Sequence, residues 1–139
     1  MRILCVDDDQ LLCTILCDML DELGHDVIGA ESGMSALKRV ARSGMGLDLL
    51  ITDIHMPGGV DGRDVGRIAR ETRPDLPIIY FTGDKGIADL PEGEILLRKP
   101  CTLGMLEKAI HRAIATPPGD RSSVSAQPGS SLIGRACPQ

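Results

Sequence analysis

Aromatic side chains are nearly missing from this 139-residue chain, which has one Tyr, one Phe and no Trp. Little is left to stack on a flavin ring, and no phosphate-binding loop follows the first apolar run, so a flavin-binding protein is disfavoured. An excess of basic residues is also missing. The formal charge is -5, which argues against nucleic acid or an anionic membrane surface as the main partner. No apolar run approaches the ~18 residues needed to cross a bilayer. The start MRILCVDDD carries one Arg and then acids, unlike a signal peptide. A cytoplasmic location with no membrane partner is the expectation. The five cysteines, at 5, 13, 17, 101 and 137, make no CxxC pair and no disulfide framework. Cys13 and Cys17 stand one helical turn apart, half of a metal site with no His or second Cys pair in sequence to complete it, so all are expected as small buried hydrophobes.

What is present is alternation. At 42% hydrophobic the chain can bury one sizeable core and is short for two domains. ILCV at 3–6 precedes a helical stretch in which Leu11, Leu12, Ile15, Leu16, Met19, Leu20 and Leu23 form one broad apolar face before Gly24. VIGA at 27–30 leads to a second helix with Met34, Leu37, Val40 and Ala41 facing inward. LDLLIT at 47–52 reads as a strand buried on both faces, followed by a helix over 62–72 with Val65, Ile68 and Ala69 inward. PIIYFT at 77–82 and EILLRK at 94–99 are the fourth and fifth strands, and 102–115 is a last helix carrying Leu103, Leu106, Ile110 and Ile114. These β-then-α units predict an α/β fold, a doubly wound parallel sheet with helices on both faces.

In such folds ligands bind outside the carboxyl ends of the strands, and the unusual polar residues fall there. Asp7, Asp8 and Asp9 end the first strand, Asp53 the third, Thr82 the fourth, Lys99 and Pro100 the fifth. If the first and third strands are neighbours, converging carboxylates need relief from repulsion, and a hard divalent ion such as Mg²⁺ provides it. A carboxylate beside a metal, faced by a lysine and a hydroxyl, is arranged to attack phosphorus and hold an acyl phosphate. The loop GGVDG leaves Asp53 open to a large phosphodonor. Asp9 reads as the cap of the first helix, Asp61 as support for the turn into the third, Met56 as packing, and the His55 side chain as an ordinary solvated imidazole.

The acid pair after the first strand, the Asp at the end of the third followed by "MP" and "DG", the Thr-Gly after the fourth and the Lys-Pro after the fifth resemble the receiver domain of two-component response regulators. The resemblance covers 1 to about 116, in the family's order and spacing. It implies a flavodoxin-like five-stranded sheet of order 2-1-3-4-5. Asp53 would be the phosphoacceptor; Asp8 and Asp53 would ligate Mg²⁺, with the His55 backbone carbonyl, and Asp7 through water. Thr82 would bind a phosphoryl oxygen, Lys99 would pair with the phosphoryl group, and Pro100 would follow a cis peptide. The partner would be a sensor histidine kinase or a histidine phosphotransfer protein. Self-catalysed phosphoryl uptake and autodephosphorylation would be the only chemistry, so the chain is not expected to be an enzyme acting on other molecules.

Two features depart from the family's usual pattern. Sixteen residues separate Thr82 from Lys99 and contain GDKGIADLPEGE, so the fourth helix is expected to be a short turn or absent. Leu96 stands where many members carry a switching aromatic. Residues 1–116 are read as the domain and 117–139, rich in Pro, Gly and Ser, as a flexible tail with no output domain, so the output would be protein contact or onward phosphotransfer. Two other classes remain open. A phosphorylation-independent interaction module would tend to lose Asp53, Asp8 or Lys99. A Mg²⁺-dependent small-molecule phosphohydrolase would want a DxD nucleophile and a cap.

Overall fold

A computed structural model describes residues 1–43, 46–83 and 94–115. Its elements in chain order are β1 (Arg2–Val6), α1 (Gln10–Glu22), β2 (Asp26–Ala30), α2 (Gly33–Ser43), β3 (Leu49–Asp53), α3 (Gly62–Thr72), β4 (Ile78–Thr82), β5 (Ile95–Arg98) and α4 (Leu103–Ala115). All pairings are parallel and the sheet order is β2-β1-β3-β4-β5. Strands β3 and β4, inside the sheet, are buried at every position; hence their continuous apolar runs. β2, at an edge, keeps exposed residues.

Side chains alternate across each strand and divide the core in two. Ile3, Cys5, Leu49, Ile51, Ile79, Phe81, Ile95 and Leu97 pack against α1 and α4. Leu4, Val6, Leu50, Ile78 and Tyr80 pack against α2 and α3. Each fully buried Leu or Ile contributes about 1.5–3 kcal/mol, and both faces need their helices to realise it. Among the described residues no helix is long and apolar enough to cross a membrane.

Helix faces are where the periodicity reading needs correction. On α1 the buried residues are Cys13, Leu16 and Leu20, while Leu11 is 68% and Ile15 46% exposed. The inner face runs Cys13, Leu16, Cys17, Leu20, at i, i+3, i+4 and i+7; counting the cysteines rotates it away from Leu11, Leu12 and Ile15. On α2, Ala36 and Val40 are buried, whereas Met34 and Ala41 face outward. On α4, Ala109 and Ala113 complete the inner face and Ile114 is exposed. Cysteine and alanine thus share these faces with Leu16, Leu20, Val40, Leu106 and Ile110.

The two expected caps are in place. Asp9 accepts from Leu11 N at 3.0 Å and Leu12 N at 3.2 Å, starting α1. Asp61 starts α3 in a reciprocal capping box with Asp64. The stretch 84–93, where the family's fourth helix is expected to be a short turn or absent, and the tail from 117 lie outside the described residues.

Candidate functional site

β1 and β3 are adjacent, and the chain leaves β1 toward β2 on one side while β3 lies on the other, which opens a crevice at their carboxyl ends. Register then places the side chains. Cys5 pairs with Ile51 and Val6 with Thr52, so Asp7 and Asp53 continue the strands in step and share the face of Cys5 and Ile51. Asp53 pairs with Phe81, and Phe81 with Leu97. Lys99, two residues past Leu97, projects on that same face. Period-two alternation over three strands thus delivers two carboxylates and an ammonium to one point.

Lys99 Nζ donates to Asp7 Oδ2 at 2.7 Å and to Asp53 Oδ2 at 3.2 Å. Its ammonium lies 5.2 Å from the centre of the Phe81 ring, which walls one side of the lysine. The Lys99 backbone N–H donates to Thr82 O at 2.8 Å, and the Lys99–Pro100 peptide is cis. Asp7, Asp53 and Thr82 are buried, while Asp8 and His55 are exposed. Asp7 Oδ1 also accepts from Asp9 N at 2.9 Å, fixing its carboxylate from the loop side.

Burial pushes the Asp53 carboxyl above the usual carboxylate range; the charge of Lys99 opposes this and that of Asp7 adds to it. For Lys99, burial is the largest influence and acts downward, yet the hydrogen bond to Asp7 and the charges of Asp53 and Asp7 outweigh it and hold the ammonium above its ordinary pKa. Lys99 is thus kept charged by its two carboxylate neighbours, while Asp53 is short of solvation.

The β3–α3 loop keeps this site open. Gly58 and Gly59 have φ of 98° and 84°, a conformation that favours glycine. A Cβ on Gly62 would overlap the Asp53 carbonyl oxygen, and Gly62 N donates to Ile54 O at 2.8 Å. The "DG" pair therefore has a mechanical meaning: Asp61 caps α3, and Gly62 lets α3 start directly against the end of β3.

The structure brings together Asp7, Asp8, Asp53 and Lys99, with Thr82 at the next strand end. Leu96 points to the opposite face, packed against the α2–α3 core. Two features escaped the sequence reading: Asp7 is the nearer partner of Lys99, and Phe81 lies beside it. Shared strand parity was the available signal for both.

Oxygens of Asp7, Asp8 and Asp53 lie within 4.8 Å of one another. Three hard oxygen donors gathered this closely suit Mg²⁺, which takes one or two carboxylates and completes its octahedron with water. A parallel 2-1-3-4-5 sheet with an acidic crevice and a crossing lysine defines a class, and the comparisons give its family. The model of the response regulator receiver domain matches residues 3–111, and the chain belongs to that family. The response regulator receiver protein CpdR of Brucella abortus is 34% identical over 118 residues, covering 81% of this chain and 96% of that protein. The CAI-1 autoinducer sensor kinase/phosphatase CqsS of Vibrio cholerae is 30% identical, covering 86% of this chain but only 16% of its own length. Among solved structures, a response regulator receiver domain protein from Clostridium thermocellum superposes with a TM-score of 0.74 at 30% identity, over 81% of this chain and 93% of that one.

Proposed function

We propose that this chain accepts a phosphoryl group on Asp53 from a histidine kinase or a histidine phosphotransfer protein, and signals by protein contact or onward phosphotransfer. The observation that carries this reading is Lys99, whose ammonium reaches Asp53 at 3.2 Å while anchored to Asp7 at 2.7 Å. An Asp53 oxygen attacks the phosphorus of a phosphohistidine; the P–N bond breaks as the P–O bond forms, and the imidazole leaves with the electron pair. Lys99 is positioned to take charge developing on the phosphoryl oxygens, and the Thr82 hydroxyl can donate to another. Asp8, Asp53, the His55 carbonyl and, through water, Asp7 would hold Mg²⁺, which when bound neutralises charge on the transferring group. The chain's part is to orient and neutralise, with no turnover of a separate substrate.

Exposed Leu12 and Ile15 of α1 support output and donor docking by protein contact. With Met19, Phe81, Lys99 and Pro100 they line an apolar hollow of about 310 Å³ beside the site. A cytoplasmic setting, where sensor kinases present their phosphohistidine, suits this reading.

The test is transfer of radiolabel from an autophosphorylated kinase, and from acetyl phosphate, in Mg²⁺ buffer. Wild type should take up label and Asp53→Asn should not. Label reaching Asp53→Asn at the wild-type rate refutes the assignment, and no uptake from any donor by wild type favours an interaction module that keeps only the fold.

A further inference from the structure

We propose that Cys5, Cys13 and Cys17 form a three-sulfur site for a soft, thiophilic cation, Cu(I), between β1 and the middle of α1. In sequence the first of these is remote from the helical pair. The fold places Cys5 of β1 under α1, so that the three sulfurs lie within 4.8 Å of one another. Cys5 and Cys13 are buried and Cys17 is half-buried. Opposite them β2 presents bare backbone: a Cβ on Gly29 would sit 3.5 Å from the Cys17 sulfur and 3.6 Å from that of Cys13. The sulfurs therefore face a strand that brings no side chain of its own to the cluster at that point.

The donor set selects the metal. Thiolates favour Cu(I), Zn²⁺ and iron–sulfur clusters. Structural Zn²⁺ takes four ligands, and a catalytic Zn²⁺ with three protein ligands needs water in the fourth position. No His, Asp or Glu belongs to this cluster among the described residues, and two of its three sulfurs are shut off from solvent. Three soft thiolates with no fourth ligand suit Cu(I). With metal–sulfur bonds of about 2.3 Å they would stand about 4.0 Å apart, so less than an ångström of contraction closes the site. Binding replaces the thiol protons, releasing them to solvent, and ties α1 to β1 two residues before Asp7.

The site uses none of the residues that carry the proposed phosphoryl chemistry, so each stands or falls alone. The anaerobic, reduced full chain is titrated with Cu(I) held by a chromophoric chelator. The expected result is one Cu(I) withdrawn per chain, three sulfur neighbours by X-ray absorption, and a higher melting temperature. Cys13→Ser and Cys17→Ser should each weaken binding at least about tenfold, while Cys101→Ser and Cys137→Ser leave it unchanged. Circular dichroism checks folding. Should Cys13→Ser unfold, the half-buried Cys17→Ser still decides the matter. Wild-type affinity in folded Cys17→Ser, nitrogen or oxygen neighbours around the metal, or failure to compete with the chelator overturns the proposal.

Discussion

Replacing Asp53 with Asn should stabilise the metal-free protein. Lys99 Nζ is 3.2 Å from Asp53 Oδ2; at an effective dielectric near 20 that attraction is about 5 kcal/mol. An oxygen of Asp7 lies within 4.8 Å, and the matching repulsion is about 3.5 kcal/mol. The two largely cancel, leaving under ~2 kcal/mol to hold the charge. Against that stands the cost of burying a carboxylate, several kcal/mol per ion, in a side chain only 10% exposed. Burial wins, in agreement with the raised Asp53 pKa. The Asn variant should gain about 1–2 kcal/mol, or roughly 4–8 °C in melting temperature for a domain of this size. Because the folded pKa is raised, wild type gains stability as the pH falls through it, and the gap to the Asn variant narrows on acidification. Thermal melts in EDTA at several values from pH 7 downward read both effects. A variant that melts below wild type at pH 7 without metal refutes the reasoning.

Lys99→Met strands Asp7, which is 1% exposed at its side chain, and should cost about 3–5 kcal/mol in urea unfolding with EDTA present; a loss under ~1 kcal/mol would show the carboxylates relieved elsewhere. Mg²⁺ at a hundredfold excess over its dissociation constant should stabilise wild type by about 2.7 kcal/mol, and Asp8→Ala should lose most of that gain; an equal gain in the variant removes Asp8 from the metal site. Gly62→Ala forces a methyl onto the Asp53 carbonyl, so it should cost about 1–3 kcal/mol and slow label uptake; wild-type stability and uptake together would show that the β3–α3 junction yields freely.

Strand positions were legible because buried parallel strands such as LLITD and IIYFT leave uninterrupted apolar runs, and the candidate site was legible because its residues stand at strand ends, where register multiplies a period of two. The resemblance supplied the sheet order, which no local pattern encodes. Helix orientation was less legible. Met34 sits one residue from the buried Gly33 and two from Ala36, a rotation that a tally of large apolar side chains cannot resolve when alanine, glycine and cysteine make part of the inner face. The cysteine cluster was illegible for a related reason: Cys5 meets Cys13 and Cys17 only through the packing of α1 on β1.

The charge pattern ties the two sides of the site together. Three carboxylates, Asp7, Asp8 and Asp53, face one ammonium, leaving two negative charges when all are ionised. A divalent cation cancels them, and a phosphoryl group on Asp53 restores an excess of negative charge that Lys99 alone cannot offset. Lys99 also helps to line the apolar hollow, beside Leu12, Ile15 and Pro100. Its ammonium answers to Asp7 and Asp53, and its aliphatic stem lies along the surface a partner would touch. Any change in the charge on Asp53 therefore alters the pull on a side chain that belongs to both places, and among the described residues this gives the edge of that hollow a direct link to the site.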